Sequence, residues 1–295
     1  MLDFCVLYSV FNVHFNSILN TRQSEAIVVL SQPSFRTVSP ATIEALKQIQ
    51  KKGVHVVLSS GRDYEGLPWE QLKEVPVEYV ITLNGSGVYE TLNKTCLYEQ
   101  YLEQEKMISV LSFLLEQEVY VTVFMNGTRY VPEDCFAYVD QMRLPEYMKN
   151  VLRNAKNHME DMLGYLRTHK AEIQKVALNF QNEPDGTFHN REKVKAYLES
   201  CPELQVVDGG FSSLEFTKKG ITKAAGLEFL TGYLGISAEE TMAVGDSEND
   251  LDMLTWAGIG IAMGNAPEHV KEAAFAVTGT NEEDGVVMAI KTYVS

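Results

Sequence analysis

Short apolar runs separated by helix-length amphipathic stretches set the rhythm of this chain. IVVL at 27–30 reads as a short buried strand, followed by a polar loop that contains a proline. Ser39 is then a good helix N-cap with Pro40 at the first helical position, and Ile43, Leu46 and Ile49 recur at helical spacing up to an end near Gly53. VHVVLSSGR follows as strand and turn. A helix between two apolar strands is the βαβ pattern of a parallel sheet, which carries its chemistry at the strand ends. YVITLNGSGVY, at 79–89, adds a strand that runs into a turn marked by Asn84 and Gly85.

The rhythm then becomes less regular. A helix is predicted over 103–118, a hairpin around Asn126 and Gly127, a polar helical stretch from about 134 to 169, a strand at 175–180 and a helix at 190–200. LQVVDG and SSLEFTK read as two further strands. The parallel-sheet rhythm returns near Lys218, where Gly220 marks a turn and Lys223 begins a helix with Leu227 and Leu230 on its apolar side. Met242, Ala243 and Val244 form another buried strand, Gly245 lets the chain turn sharply, and Leu251, Leu254 and Ala257 line the buried face of the next helix. The fold class expected is α/β, a Rossmann-like doubly wound parallel-sheet core at 26–85 and 215–295, with an α/β domain inserted at 86–214. Residues 1–25 form a divergent segment that fits no core element.

Three pieces of this pattern carry candidate chemistry. Asp246, Glu248, Asp250 and Asp252 crowd the point where strand period gives way to helix period. Carboxylates gathered at a strand's C-terminal end repel one another, and a hard divalent cation relieves that repulsion. The plainer reading is an acidic helix start favoured by the dipole. Ser60 followed by Gly61, at the end of the second strand, suits close approach of an oxyanion to backbone N–H groups, although SSGR alone is equally an ordinary turn. Lys223 at a helix start opposes the dipole, so helix stability does not explain it; a solvated side chain is the alternative.

Composition narrows the partners. A formal net charge of -15 argues against nucleic acid, and an apolar share of 45% is that of an ordinary globular chain. Cys5, Cys96, Cys135 and Cys201 are scattered with no CxxC pair, which suggests neither zinc nor a disulfide framework and fits a reducing cytoplasm. The apolar run at 4–19 lacks a basic leader, is interrupted by Asn12, His14 and Asn16 and is too short to span a bilayer, so no membrane role is expected.

With those residues in view, the segment from Thr241 to Leu254 resembles the fourth motif of the haloacid dehalogenase superfamily, and in particular its Cof-type sugar-phosphatase branch. SSGR is similar to the second motif, and Gly220, two residues, then Lys223 to the third. The resemblance covers roughly 28–295. It implies that Asp246 binds Mg²⁺ directly and that Asp250 helps hold it, often through water. It implies that Ser60, with Gly61, and Lys223 hold the transferring phosphoryl group, with Asn249 assisting nearby. The implied activity is Mg²⁺-dependent hydrolysis of a small phosphorylated metabolite, a sugar phosphate foremost, through an aspartyl-phosphate. The implied organisation is a core whose inserted cap domain acts as lid and specificity surface, in a monomer or homodimer.

One motif of that family is absent. The first strand should end in DxDGT, whose first aspartate attacks phosphorus and whose second acts as acid and base. The only acids between Met1 and Ile43 are Asp3 and Glu25. Counting back from Ser39 places the motif near 24–30, where the chain reads SEAIVVL. Three accounts follow, in order: the residues before about Val28 come from a different reading frame; the chain is a non-catalytic relative that binds phosphate or metal; or Glu25 substitutes as nucleophile. The rival to the enzyme is thus a binding or regulatory protein on the same scaffold.

Overall fold

A computed structural model of the chain describes residues 26–31, 38–210 and 213–294. Its strands in chain order are β1 (Ala26–Ser31), β2 (Val54–Ser59), β3 (Tyr79–Thr82), β4 (Gly87–Glu90) and β5 (Thr95–Glu99), then β6 (Tyr120–Met125), β7 (Thr128–Pro132), β8 (His158–Met159), β9 (Ile173–Asn179), β10 (Leu204–Gly210) and β11 (Ser213–Lys218), and last β12 (Thr241–Gly245), β13 (Ile259–Ala262) and β14 (Ala276–Val277). The chain divides into two compact units. The first holds the described residues up to Arg62, 66–98 and 222 onward; the second holds 63–65 and 99–221. β4, and β5 as far as Tyr98, therefore belong to the first unit, although the sequence pattern began the insert at 86.

In the first unit the strand order is β14-β13-β12-β1-β2-β3-β4-β5. Pairing is parallel from β14 through to β3 and antiparallel between β3 and β4. The sheet grows one way from β1 to β2 and β3, and the other way from β12 to β13 and β14, so the strand order reverses beside β1. Open α/β sheets bind ligands in the crevice at such a reversal, outside the carboxyl ends of the strands.

β1 is fully buried from Ala26 to Val29, which explains its unbroken apolar run: a parallel strand covered on both faces has no polar side to alternate with. Ala26 and Ile27 pair with Val54 and His55 of β2. Ile27 and Val29 share a cluster with Leu227 and Leu230 of the helix Lys223–Leu234. Alternation along the strand puts Ser31 on that same face.

The helix Pro40–Gln50 starts as its sequence dictates. Ser39 is extended, and its side chain accepts from Thr42 N at 3.1 Å. Ala45, Leu46 and Ile49 are its buried residues, while Ile43 is only half-buried. Helix Leu251–Trp256 buries Met253 and Leu254.

The second unit is a six-stranded sheet in the order β10-β11-β9-β6-β7-β8. β6 and β7 form the expected hairpin, with Asn126 and Gly127 both at positive φ (53° and 77°), as a tight two-residue turn requires. The predicted helical stretch at 134–169 is instead four pieces: a 3-10 helix Glu133–Gln141, a helix Glu146–Arg153, β8 and a helix Met162–Thr168. Pro145 cannot donate a helical hydrogen bond and sits at the N-cap of the second piece; Asp161 caps the last. Among the described residues no helix is long and apolar enough to cross a membrane, and the run at 4–19 and Glu25 lie outside them.

The helix that carries Lys223 is held on the sheet by its apolar side. Leu230→Ala should cost about 2–5 kcal/mol in urea unfolding, as for other fully buried leucines, whereas the exposed Glu228→Ala on the same helix should stay within about 0.5 kcal/mol. Equal losses for the two would contradict this packing.

Candidate functional site

The carboxyl ends of β1 and β12 and the turns after β2 and β3 bring one group of polar side chains together. Lys223 is its centre. It is 3% exposed, so the solvated reading of this helix-start lysine does not hold. Thr222 caps the helix, accepting from Ala225 N, which leaves the following lysine free to point into the sheet end. Its Nζ donates to Ser31 Oγ at 2.9 Å, Asn249 Oδ1 at 3.0 Å and Asp250 Oδ1 at 2.7 Å. An ammonium has three hydrogens, and these three acceptors use them all.

Asp250 is wholly buried. One oxygen takes Lys223; the other accepts from the backbone N–H of Asp246 at 3.0 Å and of Ser247 at 2.9 Å. The carboxylate thus neutralises the lysine and also locks the turn that leaves β12. Gly245 is required there for space, not for an unusual backbone angle: a Cβ on it would lie 2.6 Å from Asp250 Cβ.

Asp246 is partly buried. Its Oδ1 accepts from Ser247 Oγ at 3.0 Å and its Oδ2 from Asn265 Nδ2 at 2.9 Å. Burial first, and then the charge of Asp250, push its pKa above the ordinary carboxylate value; the hydrogen bonds from Ser247 and Asn265 and the charge of Lys223 act against that shift. Of the four acids in the motif, Glu248 and Asp252 are exposed, and Glu248 is paired to His269.

Asn249 Nδ2 donates to Asn84 Oδ1 at 3.2 Å, which fixes the amide so that its oxygen faces Lys223. Asn84 is buried in the left-handed region, at φ 57°, inside the turn after β3. Its backbone N–H donates to Ser60 O at 3.1 Å, and Ser60 N donates to Ile81 O at 2.8 Å. Gly85 lies flat against the cap of the lysine helix, because a Cβ there would be 1.9 Å from Thr222 O. Ser60 is buried, and its Oγ accepts from Arg62 N at 3.2 Å across Gly61.

Lys223, Asn249, Asp250 and Asp246 are therefore contiguous, and Ser60 joins them through the backbone of Asn84. Three members were not singled out as site residues from sequence: Ser31, Asn84 and Asn265. Asn84 had only its turn signal, and Ser31 lies one residue past the stretch near 24–30 in which the missing acids were sought.

Among the described residues of this group a divalent cation has one carboxylate to use, that of Asp246, because both Asp250 oxygens are engaged. Asp246 is disfavoured as an anion by burial and by Asp250, which is the condition a cation relieves. Mg²⁺ commonly takes one or two carboxylates together with waters and substrate phosphate. The residues present fit that minimum, although among the described residues no cluster of three or more acid, His or Cys ligands occurs.

Comparisons with known proteins identify the family and the fold. A family model for haloacid dehalogenase-like hydrolases matches residues 32–290. The phosphatase YwpJ of Bacillus subtilis (strain 168) is 30% identical over 264 residues, covering 84% of this chain and 90% of the relative. YcsE of the same strain, a 5-amino-6-(5-phospho-D-ribitylamino)uracil phosphatase, is 30% identical over 259 residues, covering 87% and 89%. Among solved structures, the subclass IIB sugar phosphatase BT4131 superposes with a TM-score of 0.75 at 23% identity, covering 91% of this chain and 99% of that one, a likeness of fold.

Two outcomes follow from the geometry. Asp250→Ala leaves a buried lysine without its counter-charge and should cost about 3–5 kcal/mol in urea unfolding; a loss near zero would mean the pair is not buried as described. Asp246, with its raised folded pKa, binds a proton more tightly in the folded state than in the unfolded chain. The stability it contributes is fully present below the unfolded value of about 3.9 and is lost as pH rises through the higher folded value. In metal-free buffer Asp246→Asn should therefore be more stable than the parent at pH 7, with the gap closing as pH falls to about 4. A gap independent of pH would contradict the assignment.

Proposed function

This chain belongs to the haloacid dehalogenase-like hydrolases, and we propose that its site takes the phosphoryl group of a small phosphorylated metabolite, a sugar phosphate foremost, for Mg²⁺-dependent hydrolysis. The relatives named as phosphatases support phosphoric monoester hydrolysis as the activity. The observation that carries the reading is the buried Lys223 cation, held by Ser31, Asn249 and Asp250 at the carboxyl end of the sheet.

In this proposal Asp246 holds the cation. Asp250, with its oxygens already engaged by Lys223 and two backbone N–H groups, takes part through water at most. Mg²⁺ bound there would neutralise charge on the phosphoryl oxygens. Lys223 acts through its charge, since its three hydrogens already have acceptors. Ser60 and Gly61 offer a hydroxyl and a close backbone approach to an oxyanion at the end of β2. Asn84 orients Asn249, and so the face that Asn249 turns toward Lys223.

One observation favours the second reading, binding without turnover. β1 ends in Ser31, and the chain has no acid from Ala26 to Ile43. An aspartyl-phosphate cannot form on this strand or its loop. Hydrolysis then requires an attacking acid from elsewhere or direct attack by water.

Turnover of p-nitrophenyl phosphate separates the two. The hydrolase reading expects release of nitrophenol that needs Mg²⁺ and is abolished by Asp246→Ala. Calorimetric binding of inorganic phosphate with Mg²⁺ but no turnover supports the binding protein, and neither signal would overturn both.

A further inference from the structure

Ser31 has a hydrogen to spare. The residue is 8% exposed, and its partner among the described residues is Lys223 Nζ at 2.9 Å. Lysine can only donate, so this contact occupies an oxygen lone pair and the serine's own O–H must point elsewhere. Among the described residues no acceptor for it is found. A buried donor without an acceptor is costly, and such groups in native proteins usually have a function or a missing ligand.

Its place in the sheet says which ligand. Ser31 ends β1 beside Ser59 of β2, while β1 also pairs with β12, the strand that runs into Asp246. The hydroxyl is thus at the carboxyl edge where the strand order reverses. The ammonium that it accepts from polarises it and makes it a stronger donor toward negative charge. Among the described residues no group touching it can act as a base: all three Lys223 hydrogens are assigned to acceptors, and Asp250 is spent on Lys223 and two backbone N–H groups.

From this we infer that Ser31 is a phosphate-binding residue, donating its O–H to a phosphoryl oxygen, and that it does not attack phosphorus. Ser31 thereby passes the charge of Lys223, which has no free hydrogen of its own, to the anion. The inference rests on the phosphoryl reading of the site given above.

The test is calorimetric titration of the full chain with inorganic phosphate in the presence of Mg²⁺, with the phosphate-induced rise in melting temperature measured alongside. Ser31→Ala should weaken phosphate about tenfold, the scale of one hydrogen bond to a charged group, and Ser31→Thr should restore affinity to within about threefold because it keeps the hydroxyl. Ser60→Ala serves as the reference. If the parent binds phosphate, Ser60→Ala weakens it and Ser31→Ala does not, the Ser31 inference is overturned while the phosphoryl reading stands. If the parent binds no phosphate, the phosphoryl reading fails and the inference falls with it. A phosphoryl group found on Ser31 by mass spectrometry after incubation with p-nitrophenyl phosphate would also overturn it.

Discussion

The site is built around a buried ion pair. Taking Lys223 and Asp250 out of water costs several kcal/mol per ion, and their mutual contact at 2.7 Å returns that cost only because the remaining valences are also filled. Lys223 has two neutral oxygens to complete its three bonds, and Asp250 has two backbone N–H groups. Apolar residues of similar volume would give equal or better stability at this position. A pair so placed, at a helix start whose dipole opposes the lysine, is explained by what it does at the sheet edge.

The pair in turn fixes the backbone around it. Asp250 holds the turn after β12, so Asp246 is presented at the strand end. Asn249 leans on Lys223 and is aimed by Asn84, whose left-handed turn packs through Gly85 on the cap of the lysine helix. The same turn donates to the Ser60 loop through Asn84 N, and β3 accepts from Ser60 N through Ile81 O. Four loops from distant parts of the sequence are thereby cross-braced by one charged contact and a few hydrogen bonds, and rigid elements behind them carry the positions.

Much of this was legible in the chain. Ser39 and Pro40 declared a helix start, Asn126 and Gly127 a hairpin, and the acids after Val244 a crowded strand end, because each is a local signal within a few residues. Family resemblance then drew Lys223, Asp246 and Asp250 into one site. The helical pattern at 134–169 misled because its periodicity spans Pro145, where a helix cannot continue. Gly245 was read as a turn residue, whereas its cause is the Asp250 side chain. Ser31 was invisible for a different reason: its partner is 192 positions away, and a serine after four apolar residues reads as nothing more than a strand end.

Ser31 also changes the electrostatics of the pocket. The described group holds two carboxylates, Asp246 and Asp250, against one cation, and a hydroxyl stands at the strand end in place of a further acid. Such a pocket repels an anion less than one with acids on both strands. The account is tested most directly by a crystal structure of the protein grown with MgCl₂ and inorganic phosphate. It predicts a phosphate at the carboxyl end of β1, with one oxygen in hydrogen-bond contact with Ser31 Oγ, a cation at Asp246, and the Lys223–Asp250 contact intact. A saturated crystal with phosphate bound elsewhere, or with Lys223 turned out to solvent, would contradict it.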